Sequence, residues 1–76
     1  MLSRRFDGRP ADFKSVKSYK KIVTRAKEAT RDQGAVWVLF EFQFGKSTEV
    51  ELELLKVRRM GIKFKYYYKG ENIVHE

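Results

Sequence analysis

Residues 35–44 constrain the fold of this chain more than any other stretch. Their even positions are uniformly apolar, whereas their odd positions change from apolar to polar along the stretch. This alternation predicts a β-strand, because successive side chains of a strand point to opposite faces of the sheet. One face of the strand must therefore lie in a core. The residues of that face are Val36, Val38, Phe40, Phe42 and Phe44.

Two later segments also alternate, and together they predict an antiparallel meander. Residues 49–54 alternate glutamate with valine or leucine, and residues 62–68 alternate lysine with apolar or aromatic side chains before a run of tyrosines. We expect tight hairpin turns at residues 45–47 and at residues 60–61. A β-bulge is expected near residues 54–55, where the apolar pattern shifts by one position and the side chains would otherwise change faces.

Residues 12–32 predict one amphipathic helix. Apolar side chains recur every three or four positions from Phe13 to Thr30, which places them in one stripe along a helix. Asp12 is suited to cap its amino end, and Gly34 is suited to end it. A stripe of this kind needs a partner surface, and the apolar face of the predicted sheet provides one.

These segments predict a single small α+β domain of two layers, with one N-terminal amphipathic helix packed on a three-stranded antiparallel β-meander. Residues 73–75 would add a fourth strand at its edge. The predicted parts are an arm at residues 1–9, the helix at residues 12–32, the sheet at residues 35–69 and a tail at residues 70–76. The second sheet face is expected to stay open, and the core is expected to be thin because a chain of 76 residues buries little surface.

The composition limits the cellular context. There are no cysteines, so disulfides and thiolate metal sites cannot contribute to stability. The sequence has no run of 18 apolar residues and no hydrophobic segment typical of a secretory signal after its first residues. We therefore expect no membrane span and a cytoplasmic or nucleoid-associated protein.

Charge is the strongest compositional signal. Basic residues outnumber acidic ones by 17 to 10, and the formal net charge is +7 at pH 7. Residues 1–34 hold ten Lys/Arg and four Asp/Glu, residues 35–55 hold one and four, and residues 56–76 hold six and two. Both ends of the sequence are therefore basic. Such an excess attracts polyanions such as nucleic acid, although many small domains carry similar charge for solubility alone.

No pattern in the sequence predicts catalysis. Residues 45–48, Gly-Lys-Ser-Thr, resemble the end of a phosphate-binding loop, but Phe40 replaces the required first glycine and a strand is expected to follow instead of a helix. The three glutamates within residues 49–53 would share one strand face, where pairing with lysines is the simpler role. A lone histidine, His75, is not expected to act in acid–base chemistry. We therefore expect no enzyme, no metal and no cofactor.

Two groups of basic residues favour nucleic-acid binding. The first lies in the arm and along one side of the predicted helix: Arg4, Arg5, Arg9, Lys14, Lys17, Lys21 and Arg25. The second surrounds the predicted hairpin at residues 60–61: Arg58, Arg59, Lys63 and Lys65. Rows of cations match the regular charges of a phosphate backbone, and Trp37, Leu39 and Tyr67 would supply stacking or interface contacts. The sequence thus predicts a DNA- or RNA-binding domain with mainly backbone contacts and weak sequence specificity.

The alternative is a protein-interaction module, such as a subunit, an adaptor, an inhibitor or a homodimer. Trp37 and Leu39 would be large apolar groups on the open sheet face, and such groups surrounded by charge often mark an interface. A third interpretation places the arm or the tail over Trp37. Its covering side chains would be Leu2, Phe6, Ile73 and Val74.

Overall fold

The computed structural model describes residues 4–6 and 9–76, and it describes side chains from Ala11 onward. Its elements are β1 (Arg4–Phe6), β2 (Arg9–Val16), α1 (Ile22–Lys27), β3 (Trp37–Phe42), α2 (Thr48–Arg59) and β4 (Lys63–Tyr68). A 3₁₀ turn, Tyr19–Lys21, precedes α1, and a π-helical turn, Glu28–Asp32, follows it. Strands and helices therefore alternate along the chain from β2 onward.

The four strands form one sheet in the order β1-β2-β3-β4. Strands β2, β3 and β4 are parallel to one another, and the short β1 pairs with β2 in the antiparallel direction. The α+β class is confirmed, but the predicted antiparallel meander is wrong. Parallel neighbours need a connection that returns the chain to the starting edge of the sheet, and a helical segment makes each of the two returns.

The segment predicted to be the second strand is helix α2. Its buried side chains are Val50, Leu54 and Val57, which recur at helical spacing. The Ser47 hydroxyl caps the amino end by accepting a hydrogen bond from the N–H of Val50 at 3.3 Å. Acidic residues occupy the first turn and basic residues the last, which suits the helix dipole. Leu52, predicted to face the core, is 54% exposed, and neither the predicted strand nor its bulge exists.

Gly61 ends α2 and does not turn a hairpin. Its φ of +79° lies in the left-handed region. Its N–H donates to the Arg58 carbonyl at 3.0 Å, and the N–H of Ile62 donates to the Val57 carbonyl at 3.4 Å. These two bonds form a Schellman motif, in which the residue after the helix takes a left-handed conformation that glycine tolerates best. The predicted turn at residues 60–61 is therefore a helix terminus.

The predicted helix over residues 12–32 is wrong in its first part. Residues 11–16 belong to β2 and pair in parallel with residues 37–42. Ser18 then caps the helical segment, its hydroxyl accepting a hydrogen bond from the N–H of Lys20 at 3.3 Å. A short apolar pattern fits both the strand and the helix period, and here the hydrogen bonds along the edge of β3 select the strand.

The core lies on one face of the sheet, beneath both helices. The even positions of β3 form its floor as predicted, and Val38, Phe40 and Phe42 are each 0% exposed. Helices that connect neighbouring strands in one direction across a sheet lie on the same face, because such connections are right-handed. The core residues are Val16, Ile22, Ala26, Ala29, Ala35, Val38, Phe40, Phe42, Val50, Leu54, Val57 and Phe64. Neither helix covers the opposite face.

The predicted arm contributes one short strand. Residues 4–6 pair with β2 through the register Phe6↔Arg9. The rest of the predicted arm, including Leu2, which was considered as part of a cover over Trp37, lies outside the described residues. Strand β1 therefore extends the sheet at its β2 edge, which is two strands away from β4.

The tail reaches the other edge of the sheet. His75 is its one described residue that joins the sheet, and it exchanges two backbone hydrogen bonds with Tyr66 at 2.7 and 2.9 Å. The predicted fourth strand is thus a single bridge. Ile73 and Val74 remain 61% and 55% exposed, so these two side chains do not form the predicted cover over Trp37.

Paired substitutions test the helical period of residues 48–59. Leu54 is 4% exposed and Leu52 is 54% exposed, so Leu54→Ala should lower the free energy of unfolding by about 2–4 kcal/mol. Leu52→Ala should change it by less than about 0.5 kcal/mol. Urea unfolding at pH 7 gives both values. Equal losses at the two positions would contradict the helix, because an alternating strand would place both residues on one face.

Candidate nucleic-acid interface

The open sheet face is built from alternate residues of three strands in register. Three rows cross β2, β3 and β4: Ala11–Trp37–Lys63, Phe13–Leu39–Lys65 and Ser15–Glu41–Tyr67. Trp37, Leu39 and Tyr67 are half-buried, and Lys63 is exposed. The structure therefore gathers the three predicted stacking residues and two of the predicted cations on one surface. The parallel pairing of β3 with β4 makes Lys63 the direct neighbour of Trp37.

Two lysines approach the same aromatic ring. The Lys63 Nζ lies 5.8 Å from the Trp37 ring centroid, and the Lys65 Nζ lies 5.6 Å from it. Both distances fall within the range of cation–π attraction, which contributes about 0.5–1 kcal/mol at an exposed site. Residues two apart in a strand are about 7 Å apart, so the two side chains reach the ring from separate positions along β4.

The acidic side chain Glu41 of this face is held by two hydroxyl groups. Glu41 accepts a hydrogen bond from the Tyr67 hydroxyl at 2.9 Å and one from the Ser15 hydroxyl at 3.4 Å. The side-chain amide of Gln43 in turn donates to the Ser15 hydroxyl. The negative charge of Glu41 thus lies in the row nearest the carboxyl ends of the strands. The positive charge of the lysines lies nearer the amino ends of the strands, around Trp37.

A groove extends the basic region around the amino edge of the sheet. It has a volume of about 520 Å³, and Trp37, Arg58 and Lys63 line it. The Arg58 guanidinium carbon lies 5.0 Å from the centroid of the Phe64 ring, so stacking holds this cation at the groove. Glu76 also lines the groove and opposes part of its positive charge. Arg58, which was predicted to lie beside a hairpin, is instead a residue of α2 that lines the same groove as Lys63.

The other predicted cations do not form the single ridge expected along one helix. Lys14 lies in β2 on the helix-covered face, 3.2 Å from the buried carboxylate of Asp12. Arg25 donates a hydrogen bond of 2.8 Å to Glu28, and this bond lowers the pKa of the Glu28 carboxyl. Lys14 and Arg25 thus belong to different ion pairs and to different elements, β2 and α1. The prediction of a basic ridge along one helix is wrong because residues 12–16 form part of a strand.

The remaining predicted basic residues are distributed around the molecule. Lys17 and Lys21 are exposed next to α1, and Arg59 is exposed in the last turn of α2. Arg4 lies opposite Ala11 and Arg5 opposite Pro10 in the pairing of β1 with β2. Arg9 begins β2. The helix layer and the open face thus carry separate basic groups on opposite sides of the sheet.

A second cleft lies on the helix side, at the carboxyl ends of β3 and β4. Its volume is about 700 Å³, and it was not predicted from the sequence. Three local signals could have identified α2: Ser47, the acidic first turn after it and Gly61. A helix between two strands implies parallel strands, so residues 43–47 and 69–71 would have been expected at one sheet edge.

Comparisons with known proteins add no assignment. The chain matches no family model, no curated protein and no solved structure. Within residues 4–6 and 9–76, no helix is long and apolar enough to cross a membrane. The same residues contain no cluster of three or more His, Cys, Asp or Glu side chains that could hold a metal ion.

Tyr68 in the second cleft should make stability depend on alkaline pH. Burial raises the pKa of Tyr68 above its ordinary value near 10, and the nearby Tyr66, Glu51 and Glu71 add to the shift. Since the folded state then retains a proton that the unfolded state releases, stability should fall above pH 10. Tyr68→Phe should show a smaller fall between pH 10 and 11 in urea unfolding. Identical slopes for the two proteins would contradict the buried environment.

Proposed function

We propose that this protein binds single-stranded nucleic acid on the open sheet face, mainly through the phosphate backbone and with weak sequence specificity. The observation that carries the proposal is the approach of Lys63 and Lys65 to the Trp37 ring on a face that neither helix covers. Proteins that bind single strands without sequence preference combine cations that follow the backbone with aromatic rings that stack on bases. This face supplies both groups next to each other.

Binding would exchange weak internal contacts for stronger external ones. Each lysine–tryptophan contact is worth about 0.5–1 kcal/mol in an exposed setting, whereas base–aromatic stacking is worth about 1–3 kcal/mol per base. The ammonium groups of Lys63 and Lys65 would move from the ring to phosphates and leave the indole for a base. Every base has a π face, so such stacking is tolerant of sequence.

The distribution of charge supports a defined position for the strand. The net charge of +7 attracts a polyanion over long range. At close range, Lys63 and Lys65 lie beside the Trp37 ring and Arg58 lines the same groove as Trp37, whereas Glu41 lies at the carboxyl end of this face. A nucleic-acid strand would therefore pass across the amino half of the face, close to Trp37.

A protein partner on the same face is the second candidate. Phe13 and Leu39 are neighbours in register between β2 and β3, and both are half-buried. Together with Trp37 they form an apolar strip beside the lysines, and apolar side chains surrounded by charge are typical of interfaces. Self-association through this strip would appear in sedimentation as a dimer that Leu39→Lys disrupts.

Salt-dependent binding tests the proposed function. Labelled single-stranded DNA and RNA should bind at 50 mM salt and lose most of their affinity at 200 mM, as measured by fluorescence anisotropy. The double substitution Lys63→Gln/Lys65→Gln should weaken binding about tenfold and lower the slope of log K against log salt by about 1.4, since each phosphate contact contributes about 0.7. A matched change of charge, Lys20→Gln/Lys27→Gln, alters two exposed lysines of the helix layer.

The control pair separates a local site from general charge. An equal loss of affinity in both double variants would assign binding to the net charge and contradict the open-face site. Absence of binding at 50 mM salt would contradict nucleic-acid binding altogether, and sedimentation of wild type and Leu39→Lys would then test the protein-partner alternative.

Tryptophan fluorescence tests stacking separately from charge. Trp37 is the single tryptophan, so its emission reports on this face alone. A single-stranded oligonucleotide should quench the emission strongly, because a base would contact the indole. Inorganic polyphosphate, which has charge but no bases, should displace the lysines and quench much less. Equal quenching by the two polyanions would show that no base stacks on Trp37.

A further inference from the structure

The cleft on the helix side has the position and the lining of a ligand site. It lies at the carboxyl ends of the parallel strands β3 and β4, where ligands of parallel sheets commonly bind. Its volume of about 700 Å³ is within the range of small-molecule sites. The open face and this cleft are on opposite sides of the sheet, so the inference drawn here does not depend on the proposed nucleic-acid site.

Aromatic rings form the wall of the cleft. Phe64, at the start of β4, is only 5% exposed, whereas Tyr66 and Tyr68 farther along the same face remain half-buried. The His75 ring stacks on Tyr66 with 5.0 Å between centroids. Because Tyr66 and Tyr68 are only partly covered, the carboxyl half of β4 presents ring surface to the cleft.

The aromatic wall continues onto the segment after β3. Phe44 stacks on Phe42 with 4.9 Å between ring centroids, and Phe42 lies 5.5 Å from Tyr66 and 5.7 Å from Tyr68. Phe42 is fully buried, but Phe44 is not. A planar ring inserted here would meet aromatic side chains from both strands, and such stacking favours a heteroaromatic ligand.

Two lysines line the cleft from different loops. Lys46 follows β3 and Lys69 follows β4, and both side chains are exposed. The carboxylates of Glu51 and Glu71 also line the cleft. Glu71 is already engaged, since it lies 3.2 Å from the His75 ring nitrogen and accepts a hydrogen bond of 3.4 Å from the N–H of Tyr68. The lysines are therefore the groups available to an anion.

The loop that carries Lys46 also leaves open space. A side chain added at Gly45 would meet no atom within 4 Å, and its backbone is not in the left-handed conformation found at Gly34, Gly61 and Gly70. Nothing in the described structure requires a glycine there. The Gly-Lys-Ser-Thr stretch leads from a parallel strand into helix α2, which is the context that the sequence analysis expected to be absent.

We infer that the cleft binds a nucleoside monophosphate, with the base against the rings of Phe44, Tyr66 and Tyr68 and the phosphate between Lys46 and Lys69. Aromatic walls with carboxylates could also suit an organic cation. Both exposed lysines and the net charge of +7 oppose a cation and favour a phosphate. A base with exocyclic amino groups could in addition donate to Glu51.

Amide chemical shifts in the full 76-residue chain test this site. Titration with AMP, GMP, CMP and UMP should shift the amides of Gly45, Lys46 and Lys69, while those of Leu39 and Lys65 on the open face stay in place. Adenosine alone and inorganic phosphate alone should each bind at least tenfold more weakly than AMP. That result would show that the aromatic wall and the lysines act on one ligand.

Three variants make the test specific. Lys46→Gln/Lys69→Gln should weaken AMP binding about tenfold, whereas Lys20→Gln/Lys27→Gln, which removes the same charge elsewhere, should not change it. Gly45→Ala places a methyl group in open space, so it should preserve thermal stability and weaken AMP binding. If far-UV circular dichroism shows that a variant is unfolded, the comparison of AMP with adenosine and with inorganic phosphate still tests the site, because it uses the wild-type protein.

Four outcomes would overturn the inference. They are the absence of saturable shifts with any of the four nucleotides, shifts confined to the open face, phosphate binding as tightly as AMP, and tighter binding of benzyltrimethylammonium than of AMP. The third would indicate a simple anion site, and the fourth an aromatic cation site. Oligonucleotide binding to the open face is measured independently of all four.

Discussion

The structure depends on the burial of one face of β3. Val38, Phe40 and Phe42 are fully buried beneath both helices, and β3 is paired along its length on both sides. Removing a side chain of this size from water contributes about 1.5–3 kcal/mol, which is large against the total stability of a small domain. The helices lie where they do because they cover these residues. The same requirement leaves the opposite face without either helix over it, since both connections cross on one side.

The two faces of the sheet therefore have different chemistry. On the helix side, apolar residues pack densely near the amino half of β4, and the aromatic residues of its carboxyl half border a cleft. On the open side, Lys63 and Lys65 lie beside the Trp37 ring, and Glu41 accepts hydrogen bonds from Tyr67 and Ser15. A domain of this size can build only one complete core. The two surfaces proposed here as binding sites are accordingly parts that the core does not use.

Some parts of this architecture were predictable from local pattern alone. The side-chain alternation in residues 35–44 and 62–68 fits a strand and no helix. It therefore predicted β3 and β4 and placed Trp37, Leu39 and Tyr67 on one face. Residues 49–57 were misassigned because their apolar positions fit both periods: Val50, Leu52 and Leu54 alternate, yet Val50, Leu54 and Val57 form a helical stripe. The capping hydroxyl of Ser47 and the left-handed Gly61 were the decisive signals, and both are local. The cleft was not predicted because α2 was not predicted. The two loops that line the cleft lie at one edge of the sheet only when the strands are parallel.

Local pattern specifies which side chains of β3 and β4 are buried, the capping signals at Ser47 and Gly61, and the strong positive charge. These properties arise from neighbours in the chain, through side-chain alternation and the hydrogen bonds of helix termini. Contacts between distant segments set the direction of the strands, the pairing of residues 12–16 as a strand, and the placement of Lys46 and Lys69 around one cleft. Local pattern does not specify strand direction, because side-chain alternation is the same in parallel and antiparallel strands. Direction is set by the connections between the strands and by the surface that those connections must cover.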